Sequence, residues 1–258
     1  MASPAVRYVY RIASQLMNPL RWPLVPRELA EYARDLRAYR REARAAGVDA
    51  RLDLEPVFFN RAINSPFDSH YTYQSAWATR RIVERAPAEH VDVSSSVPFV
   101  AQLASVLPVT MFEFRAPDIT LPNLTLREAT VLDLPLDDQS VQSLSCMHVI
   151  EHVGLGRYGD PLDPRGTERA LRELCRVVAP GGTLYLSLPV GRARVAFNAH
   201  RVTAPHDVVD LAAAQGLVLG GFAHVDDAGR FHDPSRPGDA AGLEYGLGCF
   251  ELTRPAAE

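Results

Sequence analysis

The chain of 258 residues contains no lysine, and all 27 of its basic residues are arginine. Without an ε-amine, Schiff-base chemistry and a P-loop lysine are both excluded. Cysteine is scarce too. Cys146, Cys175 and Cys249 are odd in number and far apart, which fits neither a disulfide framework nor a zinc-ligand spacing. Positive charge is not in surplus: 27 basic against 31 acidic residues leave a formal net charge of −4, which argues against general nucleic-acid binding. No apolar run approaches the roughly 20 residues that a bilayer span requires. The opening Met-Ala-Ser-Pro-Ala-Val-Arg lacks an apolar h-region and a small-residue cleavage site, so a cytoplasmic protein with reduced cysteines is expected. At 47% hydrophobic residues the chain is too apolar to be disordered, and it is long enough for one large α/β domain with an extension.

Charge is unevenly spread. Ten arginines between Arg7 and Arg51 face only Glu28, Glu31, Asp35, Glu42 and Asp49, so this segment is basic while the remainder is acidic. Val6, Val9, Tyr10, Ala13, Leu16, Met17 and Leu20 fall on one helical face opposite Arg7, Arg11, Ser14 and Asn18. A second helix is expected from near Pro26 to Gly47, with Leu29, Tyr32, Ala33, Leu36, Tyr39 and Ala43 as its stripe. Such helices either pack on the main domain or in a homodimer, or lie in the interface of an anionic membrane as a peripheral contact. The sequence leaves both open.

From residue 90 the pattern changes to short apolar runs alternating with helical segments, as in a doubly wound, mostly parallel α/β sheet. Strands are expected at His90–Ser94, Val109–Phe114, Val141–Met147 and Thr183–Leu188. Helices are expected at Val97–Val106, Thr167–Val178 and Pro205–Gln215, with a turn at Ala179-Pro-Gly-Gly182. Leu217–Val225 and Tyr245–Leu252 pair as a C-terminal antiparallel hairpin around a Gly/Asp/Pro-rich loop.

The ordered motifs His90-Val-Asp-Val-Ser-Ser-Ser96, Val109-Thr-Met-Phe-Glu-Phe114, Leu132-Asp-Leu-Pro-Leu-Asp-Asp138, Val141–Val153 and Arg172–Leu184 resemble class I S-adenosylmethionine-dependent methyltransferases over residues 88–253. Three further stretches, Ser65–Tyr71, Val149–Asp160 and Phe197-Asn-Ala-His-Arg201, resemble an uncharacterised bacterial domain-of-unknown-function family of methyltransferase-like proteins. Its members are often associated with surface-polysaccharide loci. The resemblance implies a Rossmann-like methyltransferase domain over 88–258, preceded by an N-terminal helical extension and lid over 1–87. The implied cofactor is S-adenosylmethionine.

In open parallel sheets, ligands bind outside the carboxyl ends of the strands, where the strand order reverses. Asp92 ends the first strand, and Glu113 lies 21 residues on, near the ~20 of a dinucleotide-type unit, where an acid can accept both ribose hydroxyls. The cofactor set implied is Asp92, Ser94, Ser95, Ser96, Glu113, Phe114, Thr130, Asp133 and His148. Two departures stand out. Ser94 and Ser96 occupy a turn that the superfamily usually fills with glycine, and a side chain there limits positive φ and close ligand approach. Thr130 stands where an acidic residue usually meets the adenine amino group, although its hydroxyl retains hydrogen-bonding capacity.

Methyl transfer to oxygen needs a base near the acceptor hydroxyl and an in-line donor. Met147–Pro161 is the richest polar stretch, and it offers His152, Tyr158 and Asp160 as catalytic candidates with Arg157 for substrate. His200 is a further candidate base, and Arg201 a clamp for phosphate or carboxylate. His70 and Tyr71, with Tyr73, Gln74 and Trp77, suit a lid. Each of these could equally be a structural hydrogen-bonding or packing group. His152, Asp160 and Asp163 match no metal-ligand spacing, so no metal is expected. The leading expectation is O-methylation of a glycan precursor or small metabolite. Its rival is a methyltransferase-fold protein that does not methylate and serves as a ligand-binding or assembly partner. An NAD(P) oxidoreductase fits poorly, because no Gly-x-Gly-x-x-Gly follows the first strand.

Overall fold

The computed structural model describes residues 19–48, 52, 54, 56–59 and 67–256. The chain divides into two compact units, Met1–Pro66 and Phe67–Glu258. Of the stripe expected over Val6–Leu20, only Leu20 falls among the described residues, within the short 3₁₀ segment Pro19–Leu24. Helix α1 (Val25–Ala45) follows, with Pro26 in its first turn, where the missing N–H would have no partner anyway. Tyr32, Leu36 and Ala43 of its stripe are half-buried, while Leu29, Ala33 and Tyr39 are exposed. Tyr32 meets the edge of Phe58, ring centroids 6.4 Å apart, and Glu28 accepts from the Phe59 N–H at 2.9 Å.

The larger unit begins with α2 (Ser69–Arg85), capped by Asp68, which accepts from the Tyr71 N–H at 3.0 Å. Trp77, Ala78 and Ile82 of α2 are buried in an apolar cluster with Phe99, Leu103, Met111 and Tyr185. This helix therefore packs on the sheet. Next come β1 (His90–Val93), α3 (Val97–Ala104), β2 (Val109–Glu113), β3 (Leu124–Glu128), β4 (Val141–Met147), α4 (Gly166–Val177) and β5 (Val178–Val190). The hairpin of β6 (Arg194–Ala196) and β7 (His200–Val202) leads to α5 (Pro205–Ala214), β8 (Val218–Val225), β9 (Phe231–His232) and β10 (Gly246–Thr253).

Eight strands form one sheet in the order β3-β2-β1-β4-β5-β10-β8-β9. The pairs among the first five are parallel, and β10 runs antiparallel to both β5 and β8. The fold is thus mixed α/β, mostly parallel, with antiparallel pairing through its C-terminal strands β10, β8 and β9. Residues of α2 and α3 join one apolar cluster and those of α4 and α5 the other, the arrangement of a sheet covered on both faces. The chain runs outward from β1 through β2 and β3, then returns to lay β4 on the other side of β1. The order therefore reverses between β1 and β4, and their carboxyl ends border the cleft.

Two local expectations changed. Ala179–Gly182 is the irregular start of β5 instead of a separate turn; Gly181 still takes φ +76, and a Cβ at Gly182 would meet the Val141 carbonyl at 2.7 Å. Strand β3, whose side chains are at most half-buried, carries too little apolar patterning to be legible. The three cysteines are buried and free. No helix among the described residues is long and apolar enough to cross a membrane.

Candidate functional site

The turn after β1 is held from beneath. Asp92 is fully buried and accepts from the Ser95 N–H at 3.0 Å and from the Ser145 hydroxyl. Burial pushes its carboxyl up to about 6, against the pull of those hydrogen bonds. His90 bridges Ser143 and Ser145 at 2.8 and 2.9 Å, and burial pushes this imidazole down to about 3. The Ser95 hydroxyl accepts from the Met147 N–H at 2.9 Å, tying the turn to β4. Asp92 and Ser95, expected to meet a cofactor, hold the turn through these hydrogen bonds and do not line the cleft. Ser96 sits at the N-cap of α3, with its side chain outside the cleft lining.

Ser94 does face the cleft. It adopts φ +57, the left-handed conformation favoured by glycine, and its N–H donates to the Phe112 carbonyl at 2.8 Å. A first cavity of about 360 Å³ opens there, lined by Ser94, Glu113, Phe114, Thr130 and His148 among others. Val131, Leu132 and Arg115, none of them among the expected site residues, belong to the same wall. Glu113 accepts from the Phe114 N–H at 2.8 Å, which leaves capacity on the carboxylate for further donors. Asp133 does not line this cavity; its backbone pairs with Thr130.

A second cavity of about 490 Å³ is lined by His70, Tyr71, Arg157, His200 and Tyr245. His148, His152 and Tyr158 line both cavities. Aromatic contacts knit this wall together. Tyr71 stacks on His148 with ring centroids 5.1 Å apart, and Tyr245 lies 5.2 Å from His70 and 4.8 Å from His200. Burial, followed by the neighbouring His148, pushes His70 down to about 4. Burial and then nearby His152 also lower His200, which favours the neutral ring that a base needs. Of the expected lid, Gln74 and Trp77 are buried, and Gln74 accepts from the Ser187 hydroxyl at 2.6 Å.

Two of the expected residues, Arg201 and Asp160, are engaged by the polypeptide itself. Arg201 is almost fully buried and donates to the carbonyls of Val153 and Asp163, bracing the loop between the 3₁₀ turn Ile150–His152 and α4 instead of reaching either cavity. Adjacent residues of a strand point to opposite sides, so β7 can present His200 to the cavity only by turning Arg201 away. Asp160 lines the first cavity, but its carboxylate accepts from the N–H groups of Gly154 at 2.7 Å and Tyr158 at 3.2 Å. Burial opposes its charge, yet these backbone donors outweigh it and hold the carboxyl below its ordinary value. A base so tied is a weak one.

The most consequential residue that the sequence reading did not select is Glu151. It is fully buried between His148 and His152, bonded to Nδ1 of the former and 3.6 Å from Nε2 of the latter. His152 itself is oriented by the Ala199 carbonyl, 2.6 Å from Nδ1. An acid three residues after one histidine and directly before another was the available signal. Tyr245 had none, since it reaches the site from the far end of the chain.

A family model described as "Caenorhabditis protein of unknown function, DUF268" matches residues 137–226. That description names Caenorhabditis, not the bacterial group that the motifs suggested. No curated protein matches. Among solved structures, the chain is similar to the Burkholderia thailandensis 1,6-didemethyltoxoflavin-N1-methyltransferase with bound 1,6-didemethyltoxoflavin and S-adenosylhomocysteine, at 14% identity and TM-score 0.53, covering 87% of this chain and 90% of that one. It is similar to the N-methyltransferase NodS from Bradyrhizobium japonicum WM9 in complex with S-adenosylhomocysteine, at 11% identity and TM-score 0.51, covering 71% and 87%. It is also similar to the [4+2]-cyclase SpnF, at 15% identity and TM-score 0.51, covering 72% and 81%. These likenesses establish a methyltransferase-like fold.

Proposed function

We propose that the protein is an S-adenosylmethionine-dependent methyltransferase acting on a hydroxyl of a glycan precursor or similar small metabolite. One observation carries this reading: two cavities at the carboxyl edge of the sheet meet at His148, His152 and Tyr158. A donor and an acceptor held on either side of such a wall are brought together without diffusion.

The first cavity fits the cofactor by its donor and acceptor chemistry. Glu113 suits the ribose hydroxyls, Thr130 can hydrogen-bond the adenine edge, and Phe114, Val131 and Leu132 offer apolar surface to the base. When bound, S-adenosylmethionine supplies a methyl group made electrophilic by its sulfonium. Two fold neighbours whose titles include S-adenosylhomocysteine support the same cofactor class. The second cavity, with aromatic faces and imidazole edges, suits a polyhydroxylated ring. His200 lines that cavity alone. It is the residue that accepts the proton from the acceptor hydroxyl, while Arg157, His70 and Tyr71 position the acceptor.

A second reading, the same fold without methyl transfer, is favoured by Ser94. Ser94 takes φ +57 on a turn where the superfamily this chain resembles usually has glycine, and one fold neighbour is titled a cyclase. Calorimetric titration with S-adenosylhomocysteine separates the two. Binding is expected to the unmodified chain, and Glu113→Ala should weaken it by roughly 10- to 100-fold, or about 1.5–3 kcal/mol, because a charged hydrogen-bond acceptor is removed. Absence of binding would favour the second reading, and unchanged affinity in the variant would overturn the role of Glu113.

A further inference from the structure

Glu151 is a carboxylate taken wholly out of water. Its Oε2 has no hydrogen-bond partner among the described residues, and the ion-pairing groups near its Oε1 are the imidazoles of His148 and His152. A buried carboxylate is costly unless positive charge or a full set of donors meets it.

The orientation of His152 narrows what can supply that charge. Its Nδ1 faces the Ala199 carbonyl at 2.6 Å, and a carbonyl only accepts, so Nδ1 carries the ring proton. In the neutral ring, Nε2 then presents a lone pair toward Glu151 Oε1, 3.6 Å away. Two lone-pair atoms facing each other at this separation leave room for a cation. His148 is arranged in a comparable way. Its Nε2 lies 3.4 Å from His70 Nδ1, so a proton on Nε2 can be directed outward; Nδ1, which meets Glu151 Oε1 directly, then turns a lone pair toward that carboxylate, an opposition that a shared cation relieves.

We propose that His148 Nδ1, a Glu151 carboxylate oxygen and His152 Nε2 form a binding site for one divalent transition-metal ion of the zinc type. One ligand atom from each of the three lies within 4.8 Å of the others, close enough to gather around an ion at ~2.0–2.2 Å from each. Two imidazoles with one carboxylate suit zinc or its transition-metal neighbours, whereas magnesium and calcium prefer all-oxygen sets. The Ala199 carbonyl and His70 are the outer partners that such imidazole ligands require. Because His148 and His152 line both cavities, a remaining coordination position is accessible to water or to an acceptor oxygen. The proposal stands apart from methyl transfer, since it rests only on these ligands.

The test uses the full chain, freed of any affinity tag and stripped with a chelator. Titration with zinc by calorimetry should show one site per chain, zinc should raise the melting temperature, and cobalt in its place should give visible ligand-field absorption. Glu151→Gln and His152→Asn should each weaken zinc binding by more than the ~10- to 100-fold that loss of an outer partner costs. His232→Asn, at the stacked His224–His232 pair outside this cluster, should leave it unchanged. Circular dichroism shows which variants fold, and the second ligand variant serves if the first does not. The proposal is overturned if the unmodified chain takes up no stoichiometric zinc, if binding survives both ligand substitutions, or if it follows His232. A parallel S-adenosylhomocysteine titration reads cofactor binding separately.

Discussion

The two cavities share a wall but are built on different principles. The first takes most of its lining from strand ends and the turns that directly follow them: Ser94 after β1, Glu113 and Phe114 at the end of β2, and Thr130 to Leu132 after β3. The second is gathered from five separated places, namely residues 67–71, 148–158, His200, 226–229 and Tyr245. Its interior is dominated by imidazole and phenol rings stacked on one another. A cavity made by the sheet itself is suited to a constant ligand, because the backbone frame sets its shape. One assembled from loops and a hairpin can vary its chemistry without disturbing the sheet. Under the proposed function, the first side therefore speaks to cofactor class and the second to acceptor class.

The largest effect should come from breaking the second side alone. His200→Gln should lower turnover by about 10²- to 10⁴-fold, the usual contribution of a general base, with S-adenosylhomocysteine affinity nearly unchanged. Release of S-adenosylhomocysteine with an accepted hydroxyl compound measures the first quantity, and calorimetry the second. A loss confined to cofactor affinity, or a rate within threefold of the unmodified chain, would remove His200 from the proton-accepting role.

Next in size is a change beneath the first side. The Asp92 carboxyl is raised by burial from 3.8 to about 6, so the folded chain holds this proton more tightly than the unfolded chain does. The sign follows directly. Below about pH 4 both states are protonated. Between about pH 4 and 6 the unfolded state loses its proton first, so stability falls by on the order of 3 kcal/mol and is flat thereafter. Asp92→Asn cannot ionise. It can accept from Ser95 and donate to Ser145, whose hydroxyl then turns to His90. Urea unfolding of both proteins at several pH values should show the variant gaining relative stability as pH rises from 4 to 7. A difference between them that does not move with pH would discard this account.

The fold was legible where burial is patterned. Strands β1, β2, β4 and β5 are strongly buried, and each stands out in the chain as an apolar run between turns. The half-buried β3 and the three-residue strands of the β6–β7 hairpin have too few buried positions to show a period. That Ser94, Glu113 and Thr130 line the first cavity was legible because a residue at a strand end has few places to go. Asp92 and Ser95 have the right chemistry, yet they turn inward to satisfy buried hydroxyl and N–H groups. Position in a motif does not settle which way a side chain points. The Tyr245–His70 stack joins distant segments and leaves no local trace, so it becomes visible only once the sheet order is known.

The smallest effect tests the same backbone conformation on the two sides. Ser94 and His148 follow neighbouring parallel strands, and both take positive φ, +57 and +62. A residue with a Cβ is disfavoured there by roughly 1–2 kcal/mol, and glycine regains part of this while adding freedom to the unfolded chain. Ser94→Gly gives up only a hydroxyl contact with the Phe112 carbonyl at 3.4 Å, so it should stabilise by about 0.5–1 kcal/mol. For a domain of this size that is a rise in melting temperature of ~1–4 °C. It should also bind S-adenosylhomocysteine at least as tightly, because space opens in the first cavity. His148→Gly relieves the same strain but removes the ring that stacks on Tyr71 and bonds Glu151, leaving a buried carboxylate with one partner fewer. Its melting temperature should fall. Thermal unfolding of the two variants side by side should therefore show shifts of opposite sign. Shifts of the same sign would mean that backbone strain, and not the chemistry each turn presents to its cavity, decides which residue the position tolerates.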